Sequence, residues 1–266
     1  WTVSGAWDCL STDTAVWEAG TGSILFDSAT GDASFTPCAI TTEAHFNNVE
    51  FDSTATTGQT WTLATNNLRW AGTMTIEDGG AEAVQNTLAT TDLTLAGGNL
   101  TIGTGGTLTA NASTVTLTSV TMTGGTDGTI TVTTGAWTVS GNWNTSGAGS
   151  TYTQGTGIVT FDATATITLL STDNTFDDLT ISAGTATLAS AVVVTNTLSV
   201  TGTLATANLA LTVGPMVINN GGVLTANAST VVATTVTMTG GTSGTITVTT
   251  GAWTVSGNWN SSGVGS

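Results

Sequence analysis

From Thr107 the chain reads TLTANASTVTLTSVTMTGGTDGTITVTTGAWTVSG: Leu, Val, Met or Ile alternate with Thr, and the alternation breaks at Gly, Asn or Ser. Successive side chains of a strand face opposite sides, so the aliphatic set points inward and the Thr set outward. The segments TLT, TVTLT, TMT and TITVT begin at Thr107, Thr114, Thr121 and Thr129, 7 or 8 residues apart. Three such segments predict a coil of about 22–23 residues, one turn of a three-sided β-solenoid (a parallel β-helix). An antiparallel β-sandwich in each repeat is the alternative. Very short strands, with Asn220-Gly221 as the one Asn-Gly hairpin signal, favour the solenoid. No segment carries a sustained helical period. AEAVQNTL at 81–88 comes nearest and reads as a side excursion of about two turns.

The chain also repeats itself. WTVSG occurs at Trp1, Trp137 and Trp253, and residues 88–150 lie on 204–266 at a constant offset of 116 without a gap. Over the last 30 positions of that overlap only Asp127/Ser243, Thr145/Ser261 and Ala148/Val264 differ. The organisation expected is a longer unit at 1–136, a second at 137–252 of about five coils, and the start of a third at 253–266. Tandem units of one design point to an extended array rather than to a single active site.

Composition agrees. The 266 residues include 66 Thr and 34 Gly, with 7% charged residues. Branched Thr and Val suit a pleated surface, and Gly supplies turns. With Arg69 as the only Arg or Lys and a net charge of −16, the chain has no cations for phosphate, which excludes nucleic-acid binding and polybasic attachment to lipid. Of 17 acidic residues, 13 precede residue 137, so the second unit presents an almost neutral, hydroxyl-covered surface able to pack against copies of itself. The longest aliphatic run, AVVV at 191–194, is far too short to span a membrane. The sequence shows neither an initiator Met nor a signal peptide and starts and ends inside one motif, which favours a piece of a larger precursor.

Cys9 and Cys38 lie in the first unit only. A disulfide between them closes a loop of about 30 residues and stabilises by about 3 kcal/mol on the chain-entropy model; the alternative is two buried thiols.

The segment from Gly141 resembles repeat units of very large bacterial and archaeal cell-surface proteins. Its Gly141-Asn142-Trp143 turn, its strands at Gly155 to Phe161 and Phe176 to Ile181, and its Gly202 to Leu204 coil follow the order of such units, and Ala6-Trp7, Gly20 to Phe26 and Phe46 to Phe51 are degraded versions. The resemblance implies a β-helical stalk or adhesin-like surface protein in the general style of filamentous haemagglutinins. The excess of Thr and the Cys pair depart from that pattern, which leaves stalk, adhesin and fibre subunit open.

Candidate sites are few. Trp1/Trp7, Trp137/Trp143 and Trp253/Trp259 recur as W-x5-W; exposed pairs can stack on sugar rings, while the plainer reading makes Trp137 core and Trp143 a corner cover. Asp173, Asp177 and Asp178 sit in STDNTFDDLTI as turn residues or a Ca²⁺ site, and without an Arg, Lys or His partner they do not form a catalytic set. No other cofactor is expected. His45 reads as a turn or surface residue, and Arg69 as the partner of a carboxylate or an indole. Asn99, Asn111, Asn144, Asn227 and Asn260 head N-glycosylation sequons, two pairs of them at equivalent places. Rows of T-x-T invite an ice-binding reading, but a recurrence every 7–8 residues places the motif on all sides of the coil.

The expectation is a non-catalytic structural subunit of an extracellular filament or surface appendage. It joins copies of itself head to tail, with Trp1, Trp7, Trp253 and Trp259 at the joint. The competing expectation is the stalk or carbohydrate-binding module of an adhesin.

Overall fold

A computed structural model describes residues 1–9, 20–28, 31–39, 46–53, 55, 57–79, 84–125, 127–170, 175–239, 241 and 243–263. Among them the chain is all β, without a helix, and its short strands pair in parallel, coil upon coil, as a β-solenoid. Parallel ladders set the sandwich alternative aside. The chain divides into two compact units, Trp1–Trp137 with Thr145–Gly155, and Thr138–Asn144 with Thr156–Ser266.

In the first unit one ladder stacks Thr2–Val3, Ser23–Phe26, Asn48–Asp52, Leu68–Glu77, Leu95–Ile102 and Val115–Met122. A second stacks Trp7–Asp8, Ala33–Thr36, Thr60–Leu63, Asn86–Ala89, Gly106–Asn111, Thr129–Val132 and Thr151–Thr153. Within Val115–Met122 the buried positions are Val115 and Leu117, then Val120 and Met122. That three-residue step breaks the period of two and marks a corner, so each of these coils has three short sides. Leu108, Ile130 and Tyr152 pair at 22-residue intervals, as the spacing of the Thr motifs predicts. Other coils differ: Trp7 pairs with Phe35 and Phe35 with Leu63, each 28 residues on, Trp61 pairs with Leu88, 27 on, and Leu198 pairs with Met216, 18 on.

The core is a set of stacked columns. Phe26 packs edge-on to Phe35 at 4.7 Å and parallel to Phe51 at 5.1 Å, an aromatic base for the first coils. Above it Trp61, Leu88, Leu108, Ile130 and Tyr152 stand in register, all buried. In the second unit Val159, Leu179, Leu198, Met216 and Val236 form one such column, and Phe161, Ile181, Val200, Ile218 and Met238 another. Each such side chain contributes ~1.5–3 kcal/mol by leaving water.

Polar corners close the coils, and they repeat with the sequence. The Thr90 hydroxyl meets that of Ser113 at 2.5 Å and donates to the Ala110 carbonyl at 3.0 Å; Thr206 does the same with Ser229 and Ala226 at 2.5 and 3.1 Å. Asp92 and Asn208 occupy the left-handed region and accept from the Ala112 and Ala228 amides. Short Asx side chains tolerate that backbone, which explains their place there.

One expectation is corrected, and two sequence features find their places. In the segment that reads best as helix, Asn86–Ala89 is a strand whose Leu88 is clamped between Trp61 and Leu108; ladder pairing overrides its local preference. Residues 81–83 lie outside the described set. Asn220-Gly221 is not a hairpin but a corner between Leu211–Ile218 and Val223–Asn227, with Gly221 at φ 79°. The T-x-T motifs fall on more than one side, as expected: Thr107 and Thr109 stand in one ladder of the first unit, and Thr116, Thr118 and Thr121 in the other. Thr60 and Thr62, Thr87 and Ala89, Thr107 and Thr109, Thr129 and Thr131, and Thr151 and Thr153 stand in register over five coils. Only one of the three segments in each coil falls on that side, which their even spacing along the sequence conceals.

Candidate assembly surface

The first and second WTVSG segments are followed in sequence by Gly-x-Ile/Val-x-Phe-Asp, at 22–27 and at 157–162. The structure shows why the two motifs belong together. At the first, Thr2 and Val3 pair with Leu25 and Phe26, the Asp27 amide donates to the Val3 carbonyl at 2.9 Å, and Trp7 packs edge-on to Phe26 at 6.0 Å and Phe46 at 5.9 Å. At the second, the Asp162 amide donates to the Val139 carbonyl at 3.4 Å, and Trp143 packs edge-on to Phe161 at 6.5 Å and Phe176 at 5.7 Å. One indole set against two phenyl rings from the coils that follow is therefore a repeated joint. Trp143 is fully buried rather than a corner cover, because Phe161 and Phe176 close over it; Trp137 is core, as expected.

Among the described residues, the third segment shows one side of this joint. Trp253–Val255 pairs with Val231–Ala233, and the Trp259–Asn260 strand with Val236 and Thr237. Among the described residues no such Phe pair packs on Trp259; its ring lies 5.6 Å from that of Trp253. Ile130, Val132, Trp137, Val139 and Trp143 are all buried, whereas their repeats Ile246, Val248, Trp253, Val255 and Trp259 are half-buried or exposed. Val248 leaves 42% and Trp259 47% of its surface open. Ile246, Val248 and Trp259, with Met238, Thr245 and Ser261, border an open cavity of about 450 Å³. The sequence from Thr237 to Gly263 carries no charged residue, so covering this face desolvates no ion.

Trp1 is 83% exposed beside the first joint. Cys9 and Cys38 form a disulfide that ties the 1–9 segment to the coil it rests on, and the Cys9 amide donates to the Thr36 carbonyl at 3.1 Å. A disulfide fits an oxidising environment. No helix among the described residues is long and apolar enough to cross a membrane.

The remaining candidates are not brought together with this face. Asp177 accepts from the Thr195 hydroxyl at 3.2 Å and Asp178 from the Thr197 amide at 2.8 Å, bonds from one coil to the next that fit turn residues. Asp173 and His45 lie outside the described residues. Among the described residues no group of three or more His, Cys, Asp or Glu is placed to hold a metal. Arg69 is half-buried between the buried Leu68 and Trp70. Asn111 and Asn227 sit half-buried at corners with φ of 48° and 47°, and Asn144 is half-buried. Asn99 and Asn260 are exposed; their side-chain oxygens accept from the Ser119 hydroxyl at 2.8 Å and the Ser262 hydroxyl at 2.6 Å. Sequence reasoning missed Phe26 and Phe46 as the seats of a Trp; the recurrence of Gly-x-Ile/Val-x-Phe-Asp after WTVSG is the signal that finds Phe26, and Phe-x-Asn/Asp at Phe46 and Phe176 is the signal that finds Phe46. No protein-family model, curated protein or solved structure matches this chain.

Proposed function

We propose that this chain is a non-catalytic structural β-solenoid of an extracellular filament or surface appendage, extended head to tail by stacking its Thr245–Asn260 coil on the first coil of another copy. The observation that carries this reading is the repeated joint: Trp7 on Phe26 and Phe46, and Trp143 on Phe161 and Phe176, each set a WTVSG coil against the coils after it, and residues 253–259 repeat the same Trp spacing. An open coil also leaves a row of backbone groups for a further strand, and a contact between unlike faces propagates without closing. The disulfide and the resemblance to surface-protein repeats support the extracellular placement. The test is sedimentation of the full chain against a chain lacking residues 253–266. Assembly of the full chain alone supports the reading, and equal assembly of both defeats it.

The second reading, a carbohydrate-binding module of an adhesin, draws on the exposed Trp259 ring beside Ser261 in the open cavity. Binding on a glycan array that is lost in Trp259→Ala favours this reading over the structural one.

A further inference from the structure

We infer that the side of the first unit built from Thr60–Leu63, Asn86–Ala89, Gly106–Asn111, Thr129–Val132 and Thr151–Thr153 binds the surface of ice. This is a binding function separate from head-to-tail assembly and does not depend on it.

Trp61, Leu88, Leu108, Ile130 and Tyr152 are buried and in register, so the residue on either side of each points outward. Nine of those ten outward positions are Thr, and the tenth is Ala89. They form two columns, one from Thr60 to Thr151 and one from Thr62 to Thr153. Neighbours in a column are one coil apart, about 4.8 Å, and the columns are two residues apart, about 6.7 Å. Register holds across all five strands at these positions; the one shift lies past Thr109, towards Asn111.

The hydroxyls of this side are left for water. Corner residues such as Thr90 and Thr206 direct theirs to carbonyls of the next coil. In the two columns, among the described residues, Thr129 is the only Thr whose hydroxyl bonds to protein, donating to the Asp127 carbonyl at 3.3 Å. Thr107 is the most covered, at 8% exposed, and the others are half-buried or exposed.

Hydroxyl rows fixed in two directions match a solid better than a soluble ligand, and ice presents oxygen rows at closely similar intervals. Each bond from Thr to water is weak, about 0.5–1.5 kcal/mol net. A ladder that sets the hydroxyls in place before contact lets such bonds add at little ordering cost. Neither column holds a charged side chain, so covering this side strips no ion of its water. The other ladder of the unit lacks both properties: it carries Glu50, Asp52, Arg69 and Glu77, and its register shifts between Trp70 and Thr73. T-x-T motifs elsewhere on the coil do not weaken a side that is complete by itself. The arrangement recurs within the second unit, where Thr203 and Ala205, then Thr225, then Thr245 and Thr247 stand in register, with Val223 in the place of Thr107.

The test grows ice slowly in a solution of the full chain, because a growing crystal rejects ordinary solutes. The parent is expected to enter the ice and to hold crystal growth below the melting point, read as thermal hysteresis. The double variant Thr109→Tyr, Thr131→Tyr places two rings on this side and holds it off the crystal. Loss of both ice incorporation and hysteresis is expected, with circular dichroism and melting temperature unchanged. Should that variant melt early, Thr153→Tyr repeats the test at an exposed position. The double variant Thr116→Tyr, Thr118→Tyr alters exposed positions of the other ladder and is expected to keep both properties. Ala89→Thr completes the columns and is expected to raise the hysteresis. A parent that the ice rejects overturns the inference, and so does equal loss in the two double variants. Binding of the parent to crystalline cellulose but not to ice also overturns it and assigns the side to a polysaccharide. Head-to-tail stacking is read separately, by sedimentation, and stands or falls on that result alone.

Discussion

Trp143 and Trp259 occupy the same position in two matching repeats, yet Trp143 is fully buried against Phe161 and Phe176 while Trp259 leaves 47% of its surface open. Identical local sequence therefore has two environments: two phenyl rings from later coils pack on Trp143, and Trp259 lies against Trp253. Trp143→Ala is expected to cost ~3–5 kcal/mol, the range for emptying a large core site. Trp259→Ala is expected to change folding stability by about 1 kcal/mol or less while weakening association. Urea denaturation paired with sedimentation separates the two effects.

The disulfide acts on the first unit. Cys9 and Cys38 are 29 residues apart, and removing the link with Cys38→Ser is expected to lower stability by about 3 kcal/mol. Thermal unfolding of parent and variant, both without reductant, measures it.

Glu77 gives a pH dependence with a defined sign. It ends the strand Leu68–Glu77 and pairs in register with Asp52. Burial, then the charges of Glu50 and Asp52, raise its carboxyl above the ordinary range. A carboxyl raised in the fold holds its proton more tightly there than in the unfolded chain. Its contribution is full below the unfolded value and is lost as pH rises through that value toward the folded one. Glu77→Gln should therefore be more stable than the parent near pH ~7, with the difference vanishing near pH ~3. Denaturation midpoints at both pH values decide it, and an equal difference at both rules out this origin.

Close stacking of corners sets another limit. A Cβ on Gly135 would land on the Ser113 carbonyl, and one on Gly251 on the Ser229 carbonyl, the same contact in both repeats. Those carbonyls belong to the coil below and cannot withdraw without disturbing its ladder. Gly135→Ala is expected to cost ~1–3 kcal/mol, read from the denaturation midpoint.

Much of the fold is legible in the sequence. Alternating Thr and aliphatic residues mark the strands, their spacing of 7 or 8 marks three sides per coil, and Cys9 with Cys38 marks the disulfide. What is not legible depends on stacking. Nothing near Leu88 says that Trp61 and Leu108 hold it in a ladder, so 81–88 reads as helix. The 22-residue coil places Thr129 beside Thr107, but nothing near Thr107 says that Thr87, 20 residues earlier, is its other partner, so that register stays hidden. The seat of Trp7 is hidden for the same reason, since Phe26 and Phe46 reach it from successive later coils.

The head-to-tail claim is tested most directly by electron microscopy of the purified 266-residue chain, with the intact mass taken on the same sample. The result expected is filaments whose axial repeat matches one chain and whose coil spacing of about 4.8 Å runs unbroken through the joints. Single particles of one chain at every concentration tried would contradict it.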